Sequence, residues 1–152
     1  MSKFKTVEDA VKFINGGNSV FTIKSLKTDK HFTYKVNKNK NENSPYFVRV
    51  LAGPDNQNWE ASQYIGFLPS NWRSSWAEGK LPLVAGKKGK SDAASFKALN
   101  WVLKTLQCPQ HNDLSNAQFE IMHEGRCCRC NRALTHPDSI ESGIGPECAK
   151  RA

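Results

Sequence analysis

Four of the chain's five cysteines, Cys127, Cys128, Cys130 and Cys148, are gathered near its carboxy-terminal end, and the fifth is Cys108. A disulfide framework spreads its sulfurs over the fold that it staples, so clustering of this kind points to metal. Cys127-x2-Cys130 places two thiolates on one tight turn, where both can reach an ion at ~2.3 Å with a tetrahedral angle. Cys128-x-Cys130 closes that angle poorly, which makes Cys128 the spare thiol. Asn131 follows the second sulfur, where such turns need a positive φ, and Asn tolerates that conformation better than most residues. Cys148, at the start of a terminal helical turn expected over 146–151, supplies a third ligand. A structural zinc site takes four. His123, four residues before Cys127, is the leading fourth ligand, with His136, Cys128, Cys108 and His111 as competitors.

A catalytic zinc is the weaker expectation. His123-Glu124 opens like His-Glu-x-x-His, yet Gly125, Arg126 and Cys127 follow and the second histidine is missing. The nucleobase-deaminase pattern of His-x-Glu with a later Pro-Cys-x-x-Cys is also missing. Gly86-Lys87-Lys88-Gly89-Lys90-Ser91 has neither the strand nor the spacing of a phosphate-binding loop. A non-enzymatic protein is expected, with no catalytic residue assigned.

The motif Cys127-x2-Cys130-x-Arg132-x-Leu134-Thr135-x-Pro137-x-Ser139-Ile140-x2-Gly143-Ile144-Gly145-Pro146-x-Cys148 resembles a family found in many phage and bacterial proteins, whose domain has no assigned function. Asn131 stands where relatives often carry Gly. Strand phrases such as Phe32-Thr33-Tyr34-Lys35 are similar to the amino-terminal parts of some phage members. The resemblance implies zinc, a phage origin and a histidine just upstream of the first cysteine, which supports His123. Independently of it, Gly143, Gly145 and Pro146 aim the returning loop at Cys148, while Leu134 and Ile140 form a miniature core. So small a tail cannot fold by apolar burial alone, and a structural zinc contributes roughly 10 to 16 kcal/mol of apparent binding free energy in small peptides.

The elements that carry this tail are legible from periodicity. Thr6 can cap a helix in which Val7, Ala10, Val11 and Ile14 repeat at helical spacing, with Gly16 and Gly17 closing it. The period then becomes two, and runs at 20–26, 32–36, 46–51 and 64–68 read as four strands of an antiparallel meander. Thr28-Asp29-Lys30 and Gly53-Pro54-Asp55-Asn56 supply the hairpin turns, and the asparagine-lysine run over 37–43 an exposed loop. Residues 69–90 read as a long flexible loop. Ser91 caps a second helix lined by Ala93, Phe96, Leu99, Leu103 and Leu106 and ended by Cys108-Pro109, and 118–122 reads as a strand leading into the cysteines. The expectation is an α+β domain over 1–110, a mostly antiparallel sheet packed by one or two helices, followed by a zinc-knuckle tail over 111–152.

The chain has 152 residues, few enough for one core, and a formal net charge of +8. That surplus has to lie on the surface and favours acidic partners. No secretory pattern opens the chain and no run approaches the ~20 apolar residues of a membrane span, so a cytoplasmic protein, in host cytoplasm if phage-encoded, is expected. Six lysines and one acid lie between Lys24 and Lys40, including Lys35 and Lys38, and Lys87, Lys88 and Lys90 form a second cluster. Arg126, Arg129 and Arg132 alternate around the cysteine turn, and Trp72 and Trp76 lie outside regular elements. Cations with exposed rings are how small β folds hold single strands, the bases stacking while the charges follow phosphates. The competing reading is that most rings are core and that Arg132 braces the turn through its own carbonyl. The functional expectation is a phage-type accessory protein that binds nucleic acid or a complex containing it. Its alternatives are an inhibitor or regulator gripping an acidic host protein, and a zinc hydrolase.

Overall fold

The computed structural model describes residues 2–51, 62–74, 81–86, 93–107 and 113–150. Helix α1, Val7–Ile14, begins where Thr6 accepts the Asp9 N–H at 3.2 Å, with Glu8 and Asp9 in its positive first turn. Its Val7, Ala10, Val11, Phe13 and Ile14 are buried. Strands β2 (Asn18–Ser25), β3 (His31–Lys38), β4 (Tyr46–Leu51) and β5 (Ser62–Leu68) then form the expected antiparallel meander, and Asp29 turns the first hairpin at φ 60°. Helix α2, Ala94–Gln107, buries Phe96, Leu99, Val102, Leu103 and Leu106.

The remaining elements enlarge this plan. β1 (Ser2–Lys3), β6 (Val84–Ala85) and β7 (Phe119–His123) complete one sheet in the order β1-β7-β2-β3-β4-β5-β6, every pair antiparallel. β7 therefore runs between β1 and β2, so the segment expected as a separate tail contributes an interior strand to the sheet. The described parts of the expected flexible loop 69–90 are anchored, with Trp72 and Leu83 in the core and β6 at the sheet edge. Their apolar groups are too sparse for any period to reveal. Short helices α3 (Pro137–Ser142) and α4 (Pro146–Lys150) follow the cysteine turn, and α4 matches the expected terminal turn. The expected turn at 53–56, the Ser91 cap and the Cys108-Pro109 stop lie outside the described residues.

Side chains alternate across the sheet, so register decides what is buried. Phe21 and Ile23 of β2, Tyr34 and Val36 of β3, Tyr46, Val48 and Val50 of β4, and Phe119 and Ile121 of β7 share one face and form the core with the helices. Tyr34 Oη donates to the Ser95 carbonyl at 2.7 Å, and Trp101 meets Phe119 edge-on at 5.3 Å between centroids. Besides the rows through Thr22 and Lys24, the opposite face carries two cross-strand rows that reach β5. Val20, Lys35, Arg49 and Tyr64 make one, and Asn18, Asn37, Phe47, Phe67 and Val84 the other. No described helix is long and apolar enough to cross a membrane.

Candidate metal centre

The cysteine turn is a short hairpin closed by its own backbone. Arg126 and Ala133 bridge antiparallel, Leu134 N–H donates to the Gly125 carbonyl at 2.7 Å, and Cys127 N–H donates to the Arg132 carbonyl at 2.9 Å. Asn131 N–H returns to the Cys127 carbonyl at 3.0 Å with Asn131 at φ 63°, the left-handed position expected after the second cysteine. Arg126 Nη1 donates to the Asn131 carbonyl at 3.1 Å, so this arginine braces the turn as well.

From the other side, α3 ends at Gly143 in the left-handed region and Gly145 leads into α4, whose first turn holds Cys148. The Sγ atoms of Cys127, Cys130 and Cys148 all lie within 4.8 Å of one another. Two thiolates on one tetrahedral ion with ~2.3 Å bonds sit about 3.8 Å apart, so this cluster can close on an ion with small side-chain adjustments. The three cysteines could hold a metal ion.

The electrostatics of the cluster point the same way. Burial pushes the Cys127 thiol up, but N–H groups of Cys130, Gly145 and Arg129 aimed at its sulfur outweigh burial and bring it down to about 7. Among them, Gly145 N–H lies at 3.3 Å and Arg129 N–H at 3.5 Å. Burial, and then its neighbours Cys130 and Cys127, push Cys148 the other way, up to about 11. The pocket thus stabilises one thiolate and resists the next, a resistance that a divalent cation among the sulfurs removes.

The fourth position is not filled by His123. That ring is 1% exposed and packs in a three-ring cluster with Phe4 and Phe13, whose centroids lie 5.0 and 5.2 Å from it, and it is not in the sulfur cluster. Its Nδ1 accepts the Gly125 N–H at 3.1 Å. A neutral imidazole with an accepting Nδ1 carries its proton on Nε2, which removes that atom as a metal ligand. Burial lowers the His123 pKa, and the Ile140 carbonyl, which favours the charged ring, only partly opposes this. Nε2 completes no hydrogen bond among the described residues. His136 caps α3 by accepting the Asp138 N–H at 3.3 Å. Cys128 is buried outside the cluster, with burial and then Cys127 pushing its thiol up to about 12. Cys108 and His111 lie outside the described residues.

Cys128 and its surroundings show how the turn is tied to the core. Cys128 N–H donates to the Gly143 carbonyl at 2.9 Å, and its carbonyl accepts Asn18 N–H at 2.8 Å. Its sulfur occupies the space that a Cβ on Gly16 would need. Gly16 therefore permits close approach of the cysteine turn, beyond closing α1.

The expected partner-binding residues divide into four groups. Lys38 and Lys40 line a groove with Lys12 of α1 and Arg129 of the cysteine turn, and Lys38 Nζ also lies 5.1 Å from the Tyr46 ring centre. Lys35 sits apart, on the opposite sheet face, and Arg126 and Arg132 are exposed on the turn. Trp72 corrects the expectation of a surface platform. It is 1% exposed, its Nε1 donates to Asn15 Oδ1 at 2.9 Å and its carbonyl accepts from Gln107 Nε2, because a large ring beside apolar helices gains more from burial than from water. Trp76, Lys87, Lys88 and Lys90 lie outside the described residues. Sequence reasoning misses the groove, because its cations come from segments far apart in the chain.

Comparison with curated proteins and with solved structures gives no match. Residues 117–152, which hold β7, the cysteine turn and both short helices, match the model of DUF6011, a family of unknown function.

Proposed function

We propose that Cys127, Cys130 and Cys148 hold a structural zinc ion, and that the protein is a non-enzymatic, phage-type accessory protein that binds nucleic acid. Sulfur donors on a backbone-braced turn suit zinc better than a hard cation. The ion stiffens the turn that presents Arg129, so little ordering cost accompanies binding. The observation that carries the nucleic-acid reading is the groove that gathers Lys12, Lys38, Lys40 and Arg129. Its acids are fewer, since Glu8 is held by Arg73 at 2.6 Å and Asp9 and Glu42 remain against those four cations.

The test is oligonucleotide binding as a function of salt. Affinity falls steeply with ionic strength, and the slope drops by about one for each phosphate-binding cation removed in Lys38→Ala, Lys40→Ala and Arg129→Ala. An unchanged slope in the triple variant contradicts the groove. Capture of one stoichiometric acidic protein from nuclease-treated lysate, with no oligonucleotide affinity at low salt, contradicts nucleic acid as the partner.

A further inference from the structure

The sheet face turned away from the helices has a composition that the groove does not use. Lys35 of β3 and Arg49 of β4 are direct register partners on it, and Arg49 neighbours Tyr64 of β5 in the same row. One row along, Phe47 pairs with Phe67, and the Phe47 and Tyr64 rings lie 6.4 Å apart, tilted at 45°. Arg49 is exposed, and its planar guanidinium can take a phosphate beside these rings. Ser62 Oγ accepts the Arg49 Nε–H at 2.9 Å and orients the guanidinium. Tyr64 is 37% exposed, while Phe47 and Phe67 are half-buried, so their edges are supported and part of each ring faces water.

We infer that this face binds single-stranded nucleic acid, with bases stacked on Tyr64 and Phe47 and phosphates held by Arg49. Ring faces accept any base, whereas bases inside a duplex are already stacked and cannot reach the sheet, so the chemistry selects single strands. The inference rests on the nucleic-acid reading above and adds to it a second surface and a preference for unpaired strands.

The experiment is fluorescence anisotropy of a labelled twelve-nucleotide oligothymidine and of a twelve-base-pair duplex, using the full zinc-loaded chain. The single strand binds more tightly than the duplex. Tyr64→Ala and Phe47→Ala each weaken single-strand binding by about tenfold and leave duplex binding within about twofold. Tyr64→Phe retains affinity, which separates stacking from a folding defect, and circular dichroism of each variant confirms the fold. Equal binding of strand and duplex, or Tyr64→Ala matching wild type, overturns the inference. If Lys38→Ala with Arg129→Ala then still abolishes binding, the groove reading stands without it. Displacement of the strand by polyglutamate at equal charge also overturns it, because charge alone would then account for binding. No binding of either oligonucleotide at low salt overturns the groove reading and this one together.

Discussion

Gly143, at φ 76°, lies against the ring of Phe13, and a Cβ at that position would enter the ring. The carboxy-terminal segment thus docks on the buried face of α1 through a backbone atom that only glycine leaves bare. Two requirements meet at this residue: the left-handed end of α3 and the close approach of two elements. Gly143→Ala is expected to cost about 2 to 4 kcal/mol, combining the left-handed penalty with overpacking of a filled site. Chemical denaturation measures it, and an unchanged midpoint would contradict the docking.

The ligand set makes a separate prediction. Cys130→Ser and Cys148→Ser lose bound zinc on dialysis against a weak chelator, whereas His123→Phe keeps it, since the histidine is packed against two rings and its Nδ1 is committed to Gly125. Mass spectrometry under native conditions reads the metal content directly. Loss of zinc from His123→Phe would place the histidine back among the ligands.

Acid should loosen the same region through His123. Its folded pKa lies below the ordinary 6.5, so the unfolded chain binds the extra proton first. Stability from this group is present above pH 6.5 and is lost as pH falls below it toward the folded value. In excess chelator, where metal cannot contribute, the melting temperature of wild type falls between about pH 7 and 5 more than that of His123→Phe. Glu8 and Asp113, also held below their ordinary values, respond only in more acidic solution, and Cys127, at about 7, is present in both proteins, so the difference between the two curves belongs to the histidine. Parallel curves for the two proteins would remove His123 as the cause.

Trp72 makes a prediction about the core. Trp72→Phe leaves Asn15 Oδ1 without the indole donor and opens space in the core where the larger ring sat, for a loss of about 2 to 3 kcal/mol. Oligonucleotide affinity is unchanged, because the ring is sealed from the surface. A weakened complex with unchanged stability would return Trp72 to the binding surface.

Much of this architecture is legible in the residues themselves. Thr6 with Glu8 and Asp9 announces α1, the period-two runs announce β2 to β5, and Asn131 after Cys130 announces the left-handed turn. These signals are local, set by neighbours a few positions away. The insertion of β7 between β1 and β2 is not local: it depends on pairing Ile121 with Ile23, far earlier in the chain, and nothing near either residue encodes it. Sequence alone misplaces Trp72 and His123 for a related reason. Each has a polar atom that suits a site as well as it suits a core hydrogen bond, and only the packing of Asn15, Phe4 and Phe13 decides between them. The rings on the outer sheet face escape a sequence reading because register, and not the presence of Phe or Tyr, determines which face they occupy.

Cobalt titration of the demetallated, reduced protein reads the cysteine cluster itself. A thiolate-to-cobalt absorption band should appear, saturate at one ion per chain, give way to zinc, and be absent in Cys130→Ser and Cys148→Ser. Its saturation should coincide with protection of the 127–148 backbone amides from hydrogen exchange. Full protection of those amides without metal, and no thiolate band on adding it, would contradict a metal-organised carboxy-terminal segment.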